Sequence, residues 1–130
     1  MELLDLASED SRVFAAFGDA LKLPADTDRE RATRDAAKRE ALVEGARVQL
    51  AVLERAAEVA EMAEQVSALA PPSTLGDAAT AIFLAAAAAR SAYWSVRSDL
   101  GKSHDEASLL LSRAEAAERR SNELLAERLR

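Results

Sequence analysis

The chain is predicted to be all-α: an antiparallel helical bundle with one long helix and one buried, uncharged helix, completed as a dimer by a second copy. Three observations predict it. Alanine supplies about a quarter of the 130 residues, aromatic residues make up 4%, and there are only four glycines and three prolines; that composition favours helix along nearly the whole length. Between the breaks, apolar residues recur at three- and four-residue intervals, the spacing that gathers them on one helix face. The run Ala78–Ala89 carries no charge at all, so it reads as a helix with neighbours on every side.

The first helix is expected from about Ser8 to Leu21. Ser8, Glu9, Asp10 and Ser11 suit a helix start, where hydroxyls and acids meet free N–H groups. Leu23-Pro24 ends it, because a residue before proline is pushed out of the α region. Val13, Phe14, Phe17 and Leu21 have helical spacing and form its expected core face. Met1–Ala7 would join the same helix if it enters from upstream.

Thr27 and Glu30 have the spacing of a capping box, and no break follows until Pro71-Pro72, so the second helix is long. One stripe runs through Leu42, Ala46, Leu50, Leu53, Ala57 and Ala60, and a second beside it through Val48, Val52, Ala56, Val59, Ala63 and Val66. Both call for cover. Gly45 is the weak point, costing about 1 kcal/mol relative to alanine and admitting a bend.

A third helix is expected from Thr74 or Gly76-Asp77, where Thr74 and Asp77 again stand at capping-box spacing, to Asp99-Leu100-Gly101. Its uncharged run is shorter than a membrane span. It asks for more neighbours than three other helices can offer, hence the expected homodimer. A last amphipathic helix from Ser103 onward carries Leu109, Leu110, Ala114, Ala117, Leu124 and Leu125. Residues 1–130 make one domain.

The net charge of −6 and pI near 4.9 oppose a phosphate-backbone footprint, so no nucleic-acid partner is expected; nor is a membrane. With no cysteine, thiolate nucleophiles and sulfur-ligated metals drop out. No Gly-rich phosphate loop, Gly-x-Ser-x-Gly elbow or paired His-Glu metal motif is present. The N-terminal residues lack the basic region and apolar run of an export signal, so a cytoplasmic location is expected. The single histidine, His104, sits in a polar helix start and reads as a surface residue.

Two carboxylates admit functional readings. Asp10 is either a dipole-favoured acid in a first turn or a general acid/base beside Phe14 and Phe17. Asp77 is either a capping acid or a functional carboxylate at the head of an uncharged helix. Ala81, Leu84, Ala88, Ser91, Ser95 and Ser98 share a small-residue face that suits close approach of a helix or of a flat ligand in a subunit groove. Arg90, Trp94 and Arg97 lie on the adjacent face, as interface packing or as a stacking surface.

As an ordered set, these segments resemble the cyclodeaminase part of the formiminotransferase-cyclodeaminase family and its monofunctional methenyltetrahydrofolate cyclohydrolase relatives. Glu9-Asp10-Ser11-Arg12-Val13-Phe14 resembles the family's Asp-x-x-Ala-Phe segment, and Leu23 to Glu30 resembles the turn and acidic helix start that follow. Gly76-Asp77-Ala78-Ala79 is similar to its Ser-Asp helix start, Ser95-Val96-Arg97-Ser98-Asp99-Leu100 to its Asn-Val-x-x-Asn-Leu, and Asp105-Glu106 to its Asp-Glu.

The resemblance implies a helical homodimer acting on one-carbon tetrahydrofolates without metal or prosthetic group. Such proteins close a formimino group onto the pterin with loss of ammonia, or interconvert methenyl and formyl forms. Asp10 falls at the family's proton donor/acceptor, Asp77 and Ser95 would line the folate groove, and Arg97 or Lys102 would meet the substrate's carboxylates. The chain departs from the pattern in several places. Gln49 replaces a proline, Gly76 a serine, and Ser95 and Asp99 two asparagines, and the family's N-terminal Pro-x-Pro-Gly-Gly-Gly loop and buried helix have no counterpart. The departures admit a second expectation, a noncatalytic helical scaffold that keeps only the family's packing.

Overall fold

Helix α1 spans Leu3–Leu21, α2 Asp28–Leu69 and α3 Leu75–Leu100, with a 3-10 turn over Pro72–Thr74 leading into α3. This computed structural model describes residues 3–101 together with Ser108, Leu109, Ser112, Glu115, Ala116 and Arg119, which are also helical. The described residues are all-helical, without a strand. The expected last helix otherwise lies outside them, as do Lys102, His104 and the Asp105-Glu106 pair.

α1 begins earlier than its acids and hydroxyls suggested. Ser8 and Ser11 donate their hydroxyls to the carbonyls of Leu4 at 3.3 Å and Ala7 at 3.1 Å, the back-bonding of residues inside a helix rather than at its cap. Asp10 is therefore about two turns into α1, beyond the first turn over which the macrodipole acts. The dipole reading of Asp10 is overturned.

The face α1 buries also differs. Leu6, Val13 and Ala20, seven residues apart, are buried, and Leu6 and Val13 pack with Val48, flanked by Ala51 and Val52. Phe14 lies about 100° around the helix from Val13 and is 78% exposed, and Phe17 is only half-buried. The two aromatics expected in the core stand at its edge instead.

α2 starts on the predicted capping box. The Glu30 N–H donates to Thr27 Oγ1 at 3.2 Å, and the Thr27 N–H donates to Glu30 Oε2 at 2.8 Å. The helix then runs without interruption through Gly45. Ala46 and Leu53 pack with Ala92 and Val96 of α3, while Ala56, Ala57 and Ala60 pack with Ala85 and Ala89. At 1.5 Å per residue the three helices are about 28, 63 and 39 Å long. The short α1 therefore cannot cover the second apolar stripe of α2 along its whole length. Beyond Ala56 that stripe is partly open: Val59 and Val66 are exposed, as are the neighbouring Met62 and Leu69.

The capping box expected at Thr74 and Asp77 is absent. Thr74 makes no side-chain cap and instead donates its hydroxyl back to the Pro71 carbonyl at 3.2 Å, because Pro71-Pro72 bring the chain in through a 3-10 turn. At the far end, Gly101 adopts φ +85°, and its N–H donates to the Arg97 carbonyl at 2.9 Å; this conformation ends α3 and favours glycine.

α3 buries one face, through Ala78, Ile82, Ala85, Ala86, Ala89, Ala92 and Val96. Phe83, Leu84 and Trp94 are exposed, so among the described residues the uncharged helix buries mainly one side. Pro72–Leu100 also has the length and composition of a membrane span: its most apolar 18-residue window has a mean hydropathy of 1.2, and 33% of that window is buried inside the chain. Arg90 approaches Glu115 to 3.7 Å and ties the C-terminal helical residues to α3.

Candidate active site

Three helices send side chains to one place near the middle of α1. Asp10 comes from α1, Gly45 and Gln49 from α2, and Asp99 from the last turn of α3. Asp99 is the next position along the stripe that buries Ala92 and Val96, so α3 delivers a carboxyl where its packing face reaches α1 and α2. Gly45 makes room for it. A Cβ at that position would lie 3.3 Å from Asp99 Oδ2 and 3.4 Å from Val13 Cγ1, both tight contacts. The glycine is thus explained by close approach of two side chains, from α3 and α1, to the α2 backbone.

Between the two carboxyls lies a cleft of about 240 Å³, walled by Phe14, Phe17, Ala41 and Leu42. Gln49 Nε2 donates to Asp10 Oδ1 at 2.8 Å, holding the carboxyl in one orientation. Burial pushes the Asp99 carboxyl above the ordinary aspartate range, and the negative charge of Asp10 adds to the rise. A carboxyl whose proton is held more tightly than usual thus shares one aromatic-walled cleft with a carboxyl that accepts an amide hydrogen bond.

Larger hollows of about 430 and 450 Å³ lie beside Arg12 and Glu40 and beside Arg39 and Arg47. Both are lined by Glu40 and Glu44 together with arginines, Glu44 is paired with Arg47 at 2.8 Å, and neither has an aromatic wall. Chemistry rather than size therefore selects the smaller cleft. Among the described residues no three His, Cys, Asp or Glu side chains come together as metal ligands.

The other predicted site residues are placed differently. Asp77 is exposed in the first turn of α3, about 33 Å along the helix from Asp99, so one chain does not bring it to Asp10. Ser95 is one turn from Asp99 on the same side of α3, and its hydroxyl donates to the Ser91 carbonyl at 3.4 Å. Arg97, two residues before Asp99, faces elsewhere. Its guanidinium lies 5.6 Å from the Tyr93 ring and 5.1 Å from the Trp94 ring and donates to the Tyr93 hydroxyl at 3.3 Å. Lys102 lies outside the described residues.

Sequence reading met Gln49 and Asp99 only as departures from the family's pattern and Gly45 only as a weak point of the helix, and placed none of them in the site. Asp99 had a signal: a carboxylate at the next step of the apolar stripe Ala85, Ala89, Ala92, Val96. For Gln49 the only signal was its replacement of a family proline, since its partner is thirty-nine residues away in the chain.

A search of curated proteins gives no match. The family model for formiminotransferase-cyclodeaminase matches residues 1–118, a span that takes in Asp10, Gly45, Gln49 and Asp99 together. With nearly the whole 130-residue chain covered, the protein belongs to the formiminotransferase-cyclodeaminase family.

Proposed function

We propose that the protein is a cytoplasmic enzyme of one-carbon folate metabolism. It closes the formimino group of 5-formiminotetrahydrofolate onto N10 with release of ammonia, or interconverts methenyl and formyl forms at the same place. The observation that carries this reading is the pair Asp10 and Asp99 bordering one aromatic-walled cleft, with Gln49 orienting Asp10. A flat pterin ring suits Phe14 and Phe17, and Asp10 accepts the proton released when N10 attacks.

The working form in this reading is a homodimer of antiparallel bundles. One chain's cleft, at about 240 Å³, is smaller than the roughly 300 to 1,000 Å³ usual for a small-molecule site, so it holds the ring while the rest of the substrate extends outward. Asp77, and the basic residues Arg97 and Lys102, then belong to the site through the other copy or through the substrate's extended tail. The exposed apolar faces of α2 and α3 are the surfaces a second copy covers, and neither a membrane nor a nucleic acid enters this reading.

Calorimetry with 5-formiminotetrahydrofolate and 5,10-methenyltetrahydrofolate tests it, together with the appearance of the methenyl chromophore. Binding is expected, and Asp10→Asn should retain it while lowering turnover about 10²-fold or more. Absence of binding by the intact protein would leave the noncatalytic scaffold as the reading.

A further inference from the structure

We propose that Asp99 sets the charge preference of the cleft: its carboxyl, placed with Asp10 beside an aromatic wall, selects one-carbon folates that carry a delocalised positive charge over neutral ones. The inference rests on the folate reading above and names the charge state of the ligand that the same site takes.

The placement of Asp99 is the starting point. Ile82, Ala85, Ala89, Ala92 and Val96 are buried in succession along α3, and the next position on that face carries a half-buried carboxyl in place of an apolar side chain. The family's pattern has an asparagine there, so this chain adds an acidic group to the site. A second carboxyl in the cleft that Asp10 borders is unfavourable unless positive charge arrives to offset it.

The surrounding helices do not supply that charge. Apart from Asp10 and Asp99, the described residues lining the cleft are aliphatic, aromatic or glycine. On α1, Arg12 is paired with Glu9. On α2, Glu44 and Arg47 pair with each other at 2.8 Å, and Gln49 gives Asp10 a neutral amide. On α3, Arg97 is held on Tyr93 and Trp94. Burial and the Asp10 charge both push the Asp99 carboxyl upward, the mark of negative charge without a counterpart. A cation entering the cleft relieves both carboxyls at once.

The walls say which kind of cation. No third His, Cys, Asp or Glu joins the pair among the described residues, and two carboxyls are too few for a bare metal ion, which takes about six oxygens or more. Phe14 and Phe17 offer ring faces instead, and these attract a flat delocalised cation as well as stack on it. One-carbon tetrahydrofolates exist in both charge states. The formimino group, as N5–CH=NH2⁺, and the 5,10-methenyl group are cations, whereas 5-formyl, N5–CH=O, is a neutral near-isostere of the first. Replacing NH2⁺ by a carbonyl oxygen turns attraction to the Asp99 carboxylate into lone-pair repulsion. An asparagine at the same place donates to that oxygen and carries no charge, so it lacks the preference.

Calorimetry at pH 7 tests the assignment, with 5-formiminotetrahydrofolate read by displacement of 5-formyltetrahydrofolate. Any 5,10-methenyl product formed during the measurement carries the same positive charge. The parent protein should bind the cation about tenfold or more tighter than 5-formyl, and Asp99→Asn should lower that ratio about tenfold while 5-formyl binds as well or better. Asn is the family's residue at this position, so the variant should stay folded and still bind folate. Asp99→Ser, a second uncharged variant, should lower the ratio alike. A parent protein that binds the two folates equally overturns the selectivity without any variant, and so does either variant keeping the parent's ratio; in both cases the folate reading stands. If the parent protein binds neither, the folate reading falls and takes the selectivity with it.

Discussion

The Asp99 carboxyl carries a stability cost with a definite pH dependence. Its carboxyl is held above its ordinary range by burial and by Asp10, so the folded state favours the protonated form. The associated stability is fully present below the unfolded carboxyl value of about 3.9 and is lost as pH rises through the higher folded value. As pH rises, ionising the group costs stability. Asp99→Asn should therefore raise the melting temperature at pH 7 and leave it unchanged near pH 3, as thermal melts followed by circular dichroism will report; a gain at pH 3 as large as at pH 7 would count against the burial argument. Gly45 belongs to the same picture. Sequence alone marks it as a helix weakness, and its reason lies in Val13 and Asp99, which arrive from two other helices.

At the level of the elements, local signals succeeded where the partners are close in sequence. The Thr27–Glu30 box was legible because both of its hydrogen bonds form within four residues. Thr27→Ala should cost about 1 kcal/mol in urea unfolding. The Thr27 hydrogen bonds hold Glu30 below its ordinary range, so the carboxylate's share is present above the unfolded value and lost as pH falls through the lowered one. The penalty of Thr27→Ala should accordingly shrink in acid. The equivalent spacing at Thr74 and Asp77 misled, because Pro71-Pro72 set the entry into α3 and turned Thr74 back on the Pro71 carbonyl. The start of α1 misled for a related reason: Ser8 and Ser11 bond to carbonyls within the helix as readily as they cap one.

For the molecule as a whole, the unequal helix lengths govern what is covered. α1 shields only the first half of α2, and α3 packs with one face, so Val59, Met62 and Val66 on α2 and Phe83, Leu84 and Trp94 on α3 remain outside. Exposed apolar area on that scale marks an interaction surface. Sedimentation at micromolar concentration should give the mass of two chains, and Leu84→Glu should reduce it to one without loss of helix content. A parent protein sedimenting as one chain would refute the dimer.

Composition and periodicity by themselves determined that the chain is helical, that one helix is long, where Pro24 and Pro71-Pro72 break it, and that Asp10 merits attention beside Phe14 and Phe17. These follow from propensities and spacings that act within a few residues of each other. Only the tertiary structure decided that Asp10 is about two turns inside its helix, that Asp99 and Gln49 meet it while Asp77 does not, and that Val13 and Asp99 crowd Gly45. Those facts depend on how α1 and α3 are seated along α2, and seating is set by packing between residues distant in the chain, which no local pattern encodes.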